Sequence, residues 1–296
     1  MFKKILKFIL IVFIYIAANS LSFSILPFSQ DFKVQSMSNG PSSLPFVLIS
    51  TCWIVFTIIY IINNAQIKGI KLVISTILVV FMVGTVMTQL ETLFFGESFK
   101  GILKSDILMI ILADLIPIIL SVIAGVLLFK RKNNSDNADN NFHTHIDIKK
   151  SIITVLIIGL VYVGIYFTFG YFVAWQFEAV RIFYSGTAVS SGFINKLIRN
   201  WNDSPIIYPF QYLRGILFAC TTIILLLMKW KHKYNFIVSM CLLYLCSAII
   251  LIVPNFMFPN EVRFAHLYEM FSSMLLFAVV TSVLLWRCRK ESRKTY

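Results

Sequence analysis

Charge is scarce in this chain. Only 13% of its 296 residues are Asp, Glu, Lys or Arg, and only 13 residues are acidic. A soluble globular domain carries about a quarter of its residues as charged groups, so a water-soluble fold is excluded. A disulfide framework is missing too. Cys52, Cys220, Cys241 and Cys246 lie inside apolar runs, Cys288 lies in a basic tail, and there is no Cys-x-x-Cys. Neither His-Glu-x-x-His, nor Gly-x-Ser-x-Gly, nor a P-loop occurs, which removes the common zinc-protease, hydrolase and nucleotide-binding signatures. His266-x-x-Glu269 reverses the Glu-x-x-His order used by di-iron bundles.

What the chain has in quantity is apolar residues, 58% of the total, with aromatics at 15%. They fall in eight runs, at 5–27, 45–63, 70–93, 106–129, 151–175, 206–228, 235–253 and 264–286. Each is near the ~20 residues that a helix needs to cross ~30 Å of hydrocarbon. The expected fold is therefore an all-α, polytopic bundle of about eight transmembrane helices, forming one integral membrane domain over 1–296. Met-Phe-Lys-Lys precedes the first run as it would in a cleavable signal. The apolar stretch continues through Leu21 and Ile25 to Phe28 without a clear small-residue cleavage site, so a retained span is expected.

Basic residues sit at the ends of these runs. With the N-terminus placed inside, 18 of the 26 Lys and Arg residues fall on the inner side. That bias predicts a cell-membrane protein with both termini in the cytoplasm, and it accounts for the net charge of +13 without nucleic acid. Trp230 and Trp286, beside basic clusters, suit the inner interface. A cytoplasmic linker at 130–150, including the low-complexity stretch Asn133–Asn141, divides the spans into four plus four. His143 and His145 follow it and are read as surface residues rather than as a metal site.

The informative residues are the polar ones placed within apolar runs. Arg263, His266, Glu269 and Ser273 recur at spacings of three, three and four, which forms one stripe along the last helix. An ionisable group at the bilayer centre costs about 2.5–3.5 kcal/mol on insertion scales, so such a stripe marks a site and needs partners. In the predicted topology Glu91, Glu178, Arg181, Gln211 and Arg214 all reach the same extracytoplasmic level. Gln89-x-Glu91 and Gln176-x-Glu178 look like a local echo that delivers two carboxylates to similar depths. Glu178 and Arg181, at i and i+3, can pair with each other or with groups opposite if the fifth helix continues to Tyr184. Pro209 suits a helix start, and Gly215 beside Arg214 allows close helix approach. Asp114, three residues before Pro117, is a further buried carboxylate expected to bond to a neighbouring helix.

These residues suggest roles. Arg181, Arg214, Arg263, Gln211 and Tyr184 are the candidate ligand-binding groups, because guanidinium forks suit carboxylate or phosphate. His266, Glu269, Glu178 and Glu91 are the candidate catalytic groups, with His266 as base and a glutamate orienting it. Alternatively, three Glu and three Arg simply neutralise one another. Glu178-Ala-Val-Arg181 lacks the paired glutamates and the Arg spacing of intramembrane CAAX-type proteases. The segment from Ser185 to Pro205, with Phe193, Leu197 and Ile198 interleaved with Lys196 and Arg199, is read as an amphipathic lid anchored by Trp201.

No cofactor or metal is called for. The expected partners are membrane lipids, with an anionic amphiphile or small anion as ligand. The expected function is a pocket near the extracytoplasmic leaflet that binds an anionic lipid or headgroup-bearing ligand. Proton-coupled transport of an anion, catalysis on a lipid-linked substrate, and a non-catalytic assembly or sensor subunit are the alternatives. Few polar residues lie below Ser273 in the last two spans, which favours a one-sided pocket over transport.

Overall fold

The computed structural model describes residues 2–37, 43–96, 102–130 and 145–290. The linker 133–141 and His143 lie outside these residues. In chain order the helices are α1 (Phe2–Ile25), α2 (Gln30–Met37), α3 (Leu44–Asn64), α4 (Gly69–Phe81), α5 (Met87–Phe94), α6 (Lys104–Phe129), α7 (Ile148–Phe172), α8 (Glu178–Ser185), α9 (Phe193–Asp203), α10 (Ile207–Leu227), α11 (Lys233–Ile249) and α12 (Asn260–Trp286). A single π-helical turn, Met82–Val86, joins α4 to α5, so the two act as one span of 26 residues. Eight helical spans among the described residues are long and apolar enough to cross a membrane, and they fit a multi-pass integral membrane protein.

Local chemistry fixes the helix ends. The Asp147 carboxylate accepts from the Lys150 amide at the start of α7 (3.1 Å). Asp106 accepts from the Leu103 amide (3.1 Å) and also holds the Ser29 amide and hydroxyl (both 2.7 Å), which fastens the approach to α2 onto α6. At the end of the bundle where α7 starts, basic side chains close helix C-termini. Lys7 donates to the Leu128 carbonyl (2.7 Å), Lys130 to those of Ile62 and Ala65 (3.0 and 2.6 Å), and Lys150 to that of Arg287 (2.7 Å). A two-residue antiparallel pairing of His145–Ile146 with Arg289–Lys290 ties the start of α7 to the end of α12 there.

Two layers of side chains fill the half of the bundle nearest the basic end. Tyr162, Phe218, Tyr244 and Phe277 pack ring against ring at 4.9–5.8 Å. Beneath them Trp230, Phe236 and Trp286 form a second aromatic layer. The tightest crossing is between α7 and α10. A Cβ on Gly215 would lie 2.6 Å from Tyr162 Cβ and 2.9 Å from Gly159 Cα, so only glycine fits and the neighbouring backbone has no room to yield. Gly215→Ala should therefore lower stability by about 1–3 kcal/mol, the usual cost of overpacking. Gly164→Ala, on α7 and facing open space, should not. Thermal unfolding of the two variants in a neutral detergent checks this contrast.

Candidate functional site

α5, α10, α12 and α8 bring polar side chains together in the half of the bundle away from the basic end. Arg214 on α10 is 3% exposed, and its Nη2 lies 2.9 Å from Glu91 Oε2 on α5. The same guanidinium donates to Gln211 Oε1 (2.7 Å) and to the Met87 carbonyl (3.0 Å), while Gln211 Nε2 reaches Glu91 Oε1 (3.4 Å). The rings of Tyr162 and Phe210 flank it at 5.6 and 5.8 Å. A buried guanidinium is thus held by a carboxylate, an amide and a carbonyl.

Nearby, a hydrogen-bonded chain runs from α8 to α12. The Tyr184 hydroxyl lies 3.0 Å from His266 Nε2, and His266 Nδ1 lies 3.2 Å from Glu269 Oε2. Burial, and after it the charges of Glu91 and Glu269, push the Tyr184 phenol above its ordinary range, so it keeps its proton. His266 thus stands between a phenol and a carboxylate, one at each ring nitrogen.

Both groups line one cavity of about 720 Å³. Its wall is mostly apolar and aromatic, and its lining includes Val80, Ile118, Phe218 and Met274, each near the middle of its span. The aromatic layers begin at that depth. α9 closes one side of the cavity. Phe193, Lys196, Leu197 and Asn200 face inward, while Ile194, Ile198 and Trp201 on the other face are exposed. Tyr208 donates to the Leu197 carbonyl (2.9 Å) and Lys196 sits 3.5 Å above the Trp175 ring, so α9 is docked along its length. Burial lowers the Lys196 ammonium below its ordinary range, with Arg199 adding to the effect and Asp203 opposing it.

Several expected members are placed elsewhere. Arg181 donates to the carbonyls of Ala188, Trp175 and Gln176 (2.7–2.9 Å), and so shapes the loop around α8. Arg263 is buried but turns back from the stripe to the Leu251 and Ile252 carbonyls and to Asn260 Oδ1. Both arginines satisfy backbone oxygens that helix ends leave open. Glu178 is exposed. Its helix does not continue the fifth span, because α7 stops at Phe172 and the turn Ala174–Gln176 redirects the chain. The echo between Gln89-x-Glu91 and Gln176-x-Glu178 therefore has no counterpart in space, and the expected set of three Arg–Glu pairs reduces to Arg214 with Glu91 among the described residues. Ser273 lines the cavity as the stripe implied. Sequence reasoning overlooked the Met87 carbonyl and Tyr162 as neighbours of the cluster, and placed Lys196 on the lid without a role in the site. Asp114 was noticed but not counted with it, although it lines the same cavity.

Among the described residues no three His, Cys, Asp or Glu side chains are placed to share a metal ion. No family model, curated protein or solved structure matches the chain. The fold and the cavity define an integral membrane bundle with a large internal pocket, and the chemistry of that pocket carries the rest.

Removing Arg214 should show how tightly the cluster is balanced. Arg214→Leu leaves the Glu91 carboxylate without its cation, at a cost of about 3 kcal/mol, the low end for a broken buried pair because Glu91 is 26% exposed. The double variant Arg214→Leu with Glu91→Leu should recover most of the loss. Chemical unfolding in detergent measures both.

Proposed function

We propose that this membrane protein takes a lipid, or another headgroup-bearing amphiphile, into its cavity from the extracytoplasmic leaflet of the cell membrane. The observation that carries the reading is the cavity of about 720 Å³ with a largely apolar wall and polar groups converging from four helices. Apolar wall suits a chain, and a few convergent polar groups suit a headgroup, the usual composition of a small-molecule site. The cations of the lining are Lys196 and Arg214, the latter matched by Glu91. The aromatic layers beneath the cavity argue against passage through the bundle, and hence against transport of an anion. In the orientation proposed here the basic end faces the cytoplasm with both termini.

A second reading, catalysis on the bound headgroup, has one observation in its favour. Hydroxyl, imidazole and carboxylate stand in line at Tyr184, His266 and Glu269, the arrangement in which a base is oriented by an acid and accepts a proton at its far nitrogen. A ligand hydroxyl that displaced Tyr184 would hand its proton to Nε2.

Monoacyl lipids added below their micellar concentration should raise the thermal midpoint of the purified protein. Thr88→Phe should abolish the rise with little change in the midpoint of the free protein, because Thr88 lines the cavity and its hydroxyl bonds only within its own helix. Equal stabilisation of both proteins would reject the cavity as the binding place. Orientation is checked by a membrane-impermeant maleimide on intact cells, which should label Asn202→Cys but reach Lys231→Cys only after lysis.

A further inference from the structure

We infer that Asp114 is the counter-ion for an ammonium group on the molecule that occupies the cavity, so that the ligand is an aminated amphiphile. This rests on the lipid-binding reading above and narrows it.

Asp114 stands on α6 about 15 Å along the helix from Lys104, at 1.5 Å of rise per residue. Thr85 donates to its Oδ2 (3.1 Å), and Thr85 is positioned by the π-helical turn Met82–Val86, a local widening of the helix that proteins use at functional sites. No Lys, Arg or His among the described residues comes within 4 Å of this carboxylate, whereas Glu91 has Arg214 and Glu269 has His266. Asp114 lines the cavity, with Tyr15 as a neighbour in the same wall. A carboxylate at this depth with one hydroxyl donor is stable as a neutral acid, or as an anion when a cation rests against it. An ammonium group on a molecule held in the cavity that Asp114 lines would supply that cation.

Two features select an organic ammonium over a metal ion. One carboxylate and one hydroxyl supply too few oxygens for calcium, which takes about 6–8. The neighbouring wall is aromatic instead. Phe32 and Phe256, packed edge to face at 5.4 Å, line the cavity and cluster with Ala113 and Ile110, which lie within a turn of Asp114 on the same helix. Aromatic faces attract alkylated or primary ammonium groups. The balance of charge points the same way. Once Arg214 is matched by Glu91, the cavity keeps Asp114, Glu269 and Lys196 as its charged groups beside His266, so it has no surplus of positive charge for a purely anionic ligand.

The test uses three monoacyl lipids with one acyl chain and different heads: phosphoethanolamine, phosphate alone, and glycerol alone. Binding is followed by intrinsic tryptophan fluorescence of the full chain in neutral detergent. The phosphoethanolamine lipid should bind at least tenfold more tightly than the glycerol lipid. Asp114→Asn, which keeps the bond to Thr85, should remove that advantage and leave the glycerol lipid within twofold. Thr85→Val is the second variant and should weaken only the aminated probe. If none of the three lipids binds, the lipid-binding reading itself fails. If all three bind alike and Asp114→Asn changes nothing, that reading stands and the ammonium assignment is overturned. Stabilisation by sodium over lithium that Asp114→Asn removes would also overturn it.

Discussion

A guanidinium buried in a membrane-spanning helix must have its charge matched inside the protein, and Arg214 is the residue on which this demand falls. Its bonds to Glu91, Gln211 and Met87 join α10 to α5 across the bundle. The contact depends on how close the helices come. Gly215, the next residue, lets α10 press onto Gly159 of α7, which sets where the Arg214 side chain starts.

The other buried arginine solves a different problem. Arg263 closes carbonyls left open where the turn Ile250–Ile252 ends, and Arg181 does the same around the turn Ala174–Gln176. Lys7, Lys130 and Lys150 do so at the other end of the molecule. In hydrocarbon an unbonded carbonyl is costly, so a long cationic side chain that reaches a helix end is a structural part rather than a binding group. The basic residues that make the charge so asymmetric along the chain thus also act as fasteners of helix C-termini.

These uses explain what could be read from the residues and what could not. Eight apolar runs were legible because each is long enough to cross hydrocarbon on its own, and their bounds differ from the helices by only a few residues. The stripe of His266, Glu269 and Ser273 was legible because α12 is regular throughout. Glu178 was misplaced because helical spacing was carried across Val173 and the turn that follows it, where nothing in the residues announces a change of direction. Arg181 and Arg263 were misjudged for a related reason. Carbonyl acceptors carry no signature in the sequence, so an arginine near a helix end looks the same whether it meets a carboxylate or the backbone. The π-helical turn that aims Thr85 at Asp114 was hidden as well, since Met82–Val86 reads as ordinary helix.

The aromatic layers at Tyr162, Phe218, Tyr244 and Phe277 have one more consequence. On the reading proposed above, they would close the cavity toward the basic end. An occupant would then leave by the way it came, so a newcomer would wait for the resident to go, and occupancy would follow the mixture of molecules on one side of the bundle.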